Sequence, residues 1–397
     1  MLVSDPNLAI PSTVVLTGHF PPEPGGVQTF VYELVRRLPA DRIQVVAPHH
    51  PDARRFDETL PFPVHRRRGY LLTRQLRRVV EESAATSGWI TAAAPFGLFA
   101  PALRRAGVRR IVASSHGQEM GWLRVAPTRW ALRSVVSSVD VFTYLTPSTR
   151  RGMARVLRPA DAVAQLHGGV DTERFHPDAG RELVRSMLDL GDRPVVVSVS
   201  RLVRRKGHDV LLRAWPHVLR RVPDAMLLVV GAGPMEGWLR RRGSAPDMRG
   251  TVLVTGPVAS AEVAGYLAAG DVFVLPCRDA RGGLQVEGLG LAVLEAAAVG
   301  LPVVVGRSGG SAEALVDGRT GQLVDSRRPE PLAVALAELL TGRSRARSMG
   351  EQGRRWIERE WTWRAAAMQL AALLRGAPGA SDAPTGRPAE SDLDRRP

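Results

Sequence analysis

The sequence predicts two α/β domains in tandem, each a parallel sheet covered by helices. Three observations lead there. A chain of 397 residues exceeds what one hydrophobic core usually supports, so two domains are expected. Short β-branched runs alternate with longer helical patterns along the chain, as in repeated βα units. In the second half the strand runs are almost uninterrupted Val and Leu, which suits strands buried on both faces.

In the first half, residues 13–17, 44–47, 89–93, 110–114, 139–145 and 163–166 read as strands. Residues 27–38, 71–87 and 128–138 read as the stronger helices between them. A very apolar run at 194–200 restarts the series, followed by strands at 225–230, 251–255, 272–276, 301–305 and 321–324. The polar, Gly/Pro-containing stretch before that restart places the boundary at 189/190. The expected organisation is therefore a first domain over 1–189, a second over 190–355, a helix over 356–375 and a disordered tail over 376–397. The tail shifts to Gly, Ala, Pro, Ser and Asp, a composition that cannot bury a core.

Composition excludes several classes. One cysteine, Cys277, rules out an intramolecular disulfide framework and fits a reducing compartment. No basic-then-apolar leader opens the sequence, so a cytoplasmic location is expected. The longest apolar stretch, 90–103, contains Pro95 and Pro101 and falls short of the ~20 residues a membrane span needs. The formal charge of +15 is scattered rather than blocked, and no zinc-finger spacing or aromatic RNA-binding signature accompanies it. A nucleic-acid partner is therefore not expected. The cations are nearly all arginine; Lys206 is the only lysine.

Four constellations carry candidate chemistry. The loop ending in Gly25-Gly26 precedes a helix, where small residues and open amides suit an anion. Arg201-Leu202-Val203-Arg204-Arg205-Lys206-Gly207 follows the strand at 194–200, at the strand end where open α/β sheets bind ligands. There Arg201 supplies a planar fork and Lys206 a point charge for a pyrophosphate. Glu287-Gly288-Leu289-Gly290-Leu291 leads into an apolar helix that carries Glu295, after Arg281-Gly282-Gly283. Carboxylates accept paired sugar hydroxyls, and a helix N-terminus favours phosphate. Finally, His116 closes the strand at 110–114, within reach of the same kind of strand-end site. The acidic Asp392-Leu393-Asp394 lies in the tail and reads as no metal site.

Taken in this order, the Gly25-Gly26 loop, His116, Arg201 with Lys206, and Glu287 with Glu295, seven residues between them, resemble the family 4 glycosyltransferases. Phe20-Pro21-Pro22-Glu23-Pro24-Gly25-Gly26-Val27-Gln28, Ser115-His116-Gly117-Gln118-Glu119-Met120-Gly121-Trp122 and Gly168-Gly169-Val170-Asp171 are similar to one subgroup. That subgroup comprises the mannosyltransferases that elaborate phosphatidylinositol mannosides from GDP-mannose. An acidic residue is common there at the positions of His19 and Gln285, departures that bear on acceptor or donor-sugar specificity.

The resemblance implies a GT-B fold, two Rossmann-like domains facing across a cleft, with the C-terminal helix around Trp361 and Trp363 crossing back to the first. It implies a retaining transfer of mannose from GDP-mannose to a glycolipid at the inner face of the cell membrane, without a metal. Arg201 and Lys206 would bind the pyrophosphate. Glu295 would hold the ribose, and Glu287 with the amides of Gly288, Leu289, Gly290 and Leu291 the sugar and phosphate. The backbone near Val258 would meet the base, and His116 the donor sugar. Arg66, Arg67, Arg68, Leu71, Leu72, Arg74, Arg77 and Arg78 are candidates for contact with an anionic membrane surface. A family 4 enzyme with another nucleotide sugar or a soluble acceptor remains the alternative, and a non-catalytic nucleotide binder a third. Against a dehydrogenase, the first βα turn lacks G-x-G-x-x-G.

Overall fold

The computed structural model describes residues 8–67, 72–280 and 285–376. The chain forms two compact units, one of Met1–Gly168 with Trp363–Pro397, the other of Gly169–Thr362. The divisions fall at 168/169 and 362/363, where sequence alone suggests 189/190 and 355/356. Helix Arg181–Met187 explains the first difference, because its arginines tie it to the second unit. Arg181 Nη2 donates to Asp271 Oδ1 at 2.8 Å, and Arg185 Nη1 to the Ala269 carbonyl at 2.8 Å. The polar stretch before the second strand series is thus a surface turn inside that unit.

In the first unit the described residues form a parallel sheet of β1 (Thr13–Leu16), β2 (Ile43–Pro48), β3 (Val64–Arg67), β4 (Ser87–Ile90), β5 (Arg110–Ser115), β6 (Val141–Tyr144) and β7 (Val163–Gln165). Its order is β3-β2-β1-β4-β5-β6-β7. Val14, Val15 and Leu16 of the central β1 are fully buried, as a strand covered on both faces requires. Helix Leu72–Ser83 lays Leu72, Leu76, Val79 and Val80, a helical stripe, on the core of Val14, Leu16, Ile90 and Ile111. Helix Trp363–Arg375 also belongs to this unit. Trp363 meets Phe30 edge-on with centroids 6.0 Å apart, and Arg110 Nε donates to the Leu373 carbonyl at 2.8 Å.

The expected helix over 356–375 is instead two. Helix Arg343–Glu360 ends where Trp361 packs edge-on against Trp356 (5.5 Å) and its carbonyl accepts the Val170 N–H at 2.8 Å. The chain then restarts as Trp363–Arg375.

β3, reading Val-His-Arg-Arg, is absent from the sequence-based strands because an edge strand needs backbone pairing and little apolar burial. Arg66 on it corrects a further expectation. Its guanidinium bonds Asp57 through two nitrogens and donates to the carbonyls of Pro48 and Pro21, leaving the side chain 11% exposed. Leu72 is likewise buried. Neither faces outward as a membrane-binding residue must. Arg67 lies over the Phe96 ring at 4.9 Å. Arg74, Arg77 and Arg78 are exposed, but Arg77 and Arg78 pair with Glu81 and Glu82 at 2.7 Å. Arg68 and Leu71 lie outside the described residues.

The second unit has β8 (Val195–Val199), β9 (Met226–Val230), β10 (Val252–Gly256), β11 (Val272–Leu275), β12 (Val303–Gly306) and β13 (Gly321–Val324), in the order β10-β9-β8-β11-β12-β13. The pairings between these strands are parallel. Helices His208–Arg221 and Pro329–Thr341 bury Trp215, Leu219, Leu332 and Leu336 against Val196, Val229 and Val274. In each sheet the strand order reverses, between β1 and β4 and between β8 and β11. Such a reversal opens a crevice at the strands' carboxyl ends.

Candidate functional site

In the second unit the loops leaving β8 and β11 build the site at that reversal. After β8, Leu202 is fully buried and its N–H donates to the Ala232 carbonyl at 2.8 Å, anchoring the loop. A 3-10 turn, Arg204–Lys206, follows, and Gly207 at φ 79° starts helix His208–Arg221. A Cβ on Gly207 would stand 1.8 Å from the Pro276 carbonyl oxygen, so only glycine lets the two loops touch.

That contact brings Lys206 to Glu287. Lys206 Nζ donates to Glu287 Oε2 at 2.7 Å, and Arg205 Nη1 donates to the same oxygen. Lys206 and Glu287 are 8% and 7% exposed, so each ion needs the other here. Burial opposes ionisation of Glu287, but Lys206 and Arg205 outweigh it and hold the carboxyl below its ordinary range.

The loop after β12 steadies Glu287 from behind. Its N–H donates to Ser308 Oγ (3.2 Å), which donates to Asp279 Oδ1 (2.7 Å), while the Gly310 N–H donates to the Glu287 carbonyl (2.9 Å). Gly290 at φ 87° then opens helix Leu291–Ala298 with no side-chain cap, so its first amides lack a side-chain acceptor. Leu289 is buried, and Glu295 lies half-buried on that helix.

Arg201 is exposed and stands outside the hydrogen-bonded set of Lys206, Arg205 and Glu287. Val258 is half-buried on the loop after β10, the edge strand. Cys277 donates to the Gly306 carbonyl at 3.3 Å, and burial pushes its thiol up to about 12, so it is no nucleophile. Arg281, Gly282 and Gly283 lie outside the described residues, as does Asp392-Leu393-Asp394. Sequence reasoning missed Arg205 and Ser308. Arg205 stands in a run where each arginine looks alike, whereas Ser308, beside Gly309 and Gly310 after β12, had a glycine-rich signal.

In the first unit the ends of β1, β4 and β5 meet. Thr91 Oγ1 donates to Thr17 Oγ1 at 2.8 Å, and His116 Nε2 bonds the Thr91 carbonyl at 2.7 Å. A carbonyl only accepts, so Nε2 carries the proton and Nδ1 is the ring's acceptor. Phe30 meets the imidazole edge-on at 4.8 Å. Burial pushes His116 down to about 4, against its hydrogen bond to Thr91, and neighbouring His19 also disfavours the charge. The ring is therefore neutral near pH 7. Glu119, three residues later, is buried, bonded by Ser115 Oγ at 2.8 Å, and raised by burial. Gly25 precedes helix Gly26–Val35, which has no side-chain cap; a Cβ on Gly26 would meet nothing within 4 Å.

Among the described residues no three His, Cys, Asp or Glu side chains group as metal ligands, and no helix is long and apolar enough to cross a membrane. The wide groove lined by Arg181, Asp271, Leu301 and Arg343 opens before β8, β11 and β12, at the opposite end of the sheet from Lys206.

Residues 24–174 match the family model Glycosyltransferase Family 4, and residues 181–356 match Glycosyl transferases group 1. A Mycolicibacterium smegmatis protein, named GDP-mannose-dependent alpha-(1-6)-phosphatidylinositol monomannoside mannosyltransferase, is 41% identical over 91% of this chain and 98% of its own. A Corynebacterium glutamicum protein, named for the monoacylated form of that acceptor, is 35% identical over 92% and 98%. Among solved structures, Anabaena HepE in complex with UDP and glucose superposes with a TM-score of 0.77 at 16% identity, covering 92% of this chain and 99% of that one. WaaG, a glycosyltransferase involved in lipopolysaccharide biosynthesis, gives 0.66 at 16% identity over 92% and 100%. At such identities the likeness is one of fold, two parallel-sheet domains of the GT-B kind.

Proposed function

Since the chain belongs to the family 4 glycosyltransferases, we infer that it transfers mannose, with retention, from GDP-mannose to a phosphatidylinositol mannoside acceptor. The observation that carries this is the 41% identity to a mannosyltransferase so named, spread over 91% of this chain and 98% of that one.

In the transfer, the bond from the sugar's anomeric carbon to the phosphate oxygen breaks and the electron pair leaves with GDP. The acceptor hydroxyl forms the new bond from the same face, and its proton passes to the departing phosphate. Charge therefore builds on the diphosphate, where preorganised cations and amides accelerate the step. Lys206 supplies the ammonium and the exposed Arg201 a fork. The uncapped amides after Gly290 add a dipole to the same phosphates.

The 2.7 Å separation of Lys206 and Glu287 supports a sugar diphosphate as ligand. Its anomeric oxygen is also a phosphate oxygen, so the groups for sugar and phosphate must be neighbours. Glu287 then accepts from sugar hydroxyls, Glu295 from the ribose, and the backbone near Val258 meets the base. Neutral His116 offers Nδ1 to a donor-sugar hydroxyl and is no proton donor near pH 7. The Gly25-Gly26 helix start is assigned to the acceptor's phosphate. With cations of the chain at the leaving group, the transfer needs no metal. The acceptor's lipid places the enzyme at the inner, anionic face of the cell membrane.

The test is incubation of purified protein with labelled GDP-mannose, UDP-glucose or UDP-GlcNAc and phosphatidylinositol monomannoside, in EDTA. Mannose alone should enter the lipid. Transfer from a UDP-sugar only would overturn the donor, and a strict need for added magnesium or manganese would overturn the metal-free leaving group.

A further inference from the structure

Helix Ala126–Ser138 of the first unit carries a face that the proposed chemistry does not use. Leu132, Val135 and Val136 point into the core, while Ala126, Arg129, Trp130, Arg133, Ser134 and Ser137 recur on the opposite side at three- and four-residue spacing. Trp130 is 73% exposed, and Val125, just before the helix, is 55% exposed. Indole is a large apolar surface with a polar N–H, suited to a boundary between water and an apolar phase, and here Arg129 and Arg133 flank it.

The segment that carries the helix is basic. Residues 117–160 contain seven arginines, at 124, 129, 133, 150, 151, 155 and 158, against two acids. Neither acid pairs with Arg129 or Arg133. Glu119 is buried, and Asp140 accepts from Arg104 and from the Ile111 N–H at 2.6 Å. Among the described residues no ion pair includes Arg129 or Arg133. Helix Leu72–Ser83 differs, since Arg77 and Arg78 are matched by Glu81 and Glu82 on their own face.

The face is also tied to the candidate site. The 3-10 segment Gln118–Arg124 begins just beyond His116 and packs against the helix. What binds the helix face therefore lies one short segment from the His116 loop.

Resting on the glycolipid acceptor inferred above, we propose that this face docks the protein on an anionic phospholipid bilayer. Trp130 and Val125 enter the headgroup layer, where tryptophan partitions preferentially. Arg129 and Arg133 meet lipid phosphates, and the acceptor is taken from the same surface.

Co-sedimentation with phosphatidylcholine vesicles, with and without phosphatidylinositol, tests it. Wild-type protein should bind the phosphatidylinositol vesicles and release as salt rises. An attraction of about 1 kcal/mol per basic residue predicts a loss of roughly fivefold for each of Arg129→Ala and Arg133→Ala, and about 25-fold for both. Trp130→Ala should also weaken binding, while Arg77→Ala with Arg78→Ala should change it little. Transfer to a deacylated, water-soluble acceptor should be unchanged in all of these, which also shows them folded. Face variants that sediment like wild type would overturn the proposal, as would duplex DNA binding without vesicle binding. Wild-type protein inactive on both lipid and deacylated acceptors would instead sink the acceptor assignment, and the vesicle comparison would still decide the docking face.

Discussion

Lys206, Glu287 and His116 differ in how much of their role their neighbours reveal. Lys206 is conspicuous in sequence as the chain's one lysine, and folding buries it against Glu287 at 2.7 Å. That pairing joins positions 81 apart, which spacing could not disclose. His116 reads in sequence as a histidine at a strand end; only the fold shows its bond to the Thr91 carbonyl and its neutral state. The residues should therefore fail differently. Lys206→Ala removes a charge-assisted contact to the diphosphate, so GDP binding should weaken by roughly 10- to 100-fold. Lys206→Arg should not restore it, because a planar fork does not replace a point charge. His116→Ala should lower kcat with GDP affinity nearly unchanged, since contacts that tighten only as the bond breaks act on the chemical step. Calorimetric GDP titration, turnover and thermal unfolding measured together separate these outcomes. A stable His116→Ala protein with wild-type turnover would remove His116 from the site.

At the scale of elements, the strands with apolar runs were legible, because burial on both faces writes itself into consecutive Val and Leu. β3 was not, since its stability comes from backbone pairing with β2 and from Arg66 reaching Asp57, not from an apolar pattern. The separation of Arg343–Glu360 from Trp363–Arg375 was also hidden: Trp361 and Trp363 look equally helical until one packs on Trp356 and the other on Phe30. The turn at Gly207 decides whether the β8 loop reaches the β11 loop. Gly207→Ala forces a Cβ into the Pro276 carbonyl at a positive φ, so it should lower the melting temperature and abolish tight GDP-mannose binding. Gly237→Ala, inside helix Glu236–Gly243 with only an arginine tip nearby, should stabilise by about 0.5–1 kcal/mol. Equal melting temperatures for the two variants would mean the β8 loop is not held as described.

The whole molecule should be sensitive to mild acid. His116 and His208 are each held near 4 by burial, against an ordinary value of 6.5; Lys206 further disfavours the charge on His208. Between those values the unfolded chain binds protons that the folded chain refuses, so stability is full above about 6.5 and falls as pH drops toward about 4. At pH 5 each histidine should cost on the order of 2 kcal/mol. Melting temperature followed from pH 7 to 5 should fall, and fall less steeply in His208→Gln than in wild type. An identical slope in the two proteins would mean that His208 titrates freely. Nothing in the sequence announces this, because a histidine after a glycine looks like any exposed helix start.

Two tandem parallel-sheet domains, the family and the candidate residues His116, Lys206, Glu287 and Glu295 were all present in the sequence by itself. Periodicity and motif order are local properties, and both survive without a fold. The tertiary structure alone decided that Lys206 and Arg205 neutralise Glu287, that Arg66 serves the interior rather than the surface, and that Trp130 and its arginines are left outside. Those outcomes depend on which loops the strand order brings to the same end of a sheet and on which side of a helix the core occupies. Each is a relation between distant segments, set by packing and desolvation across the whole chain.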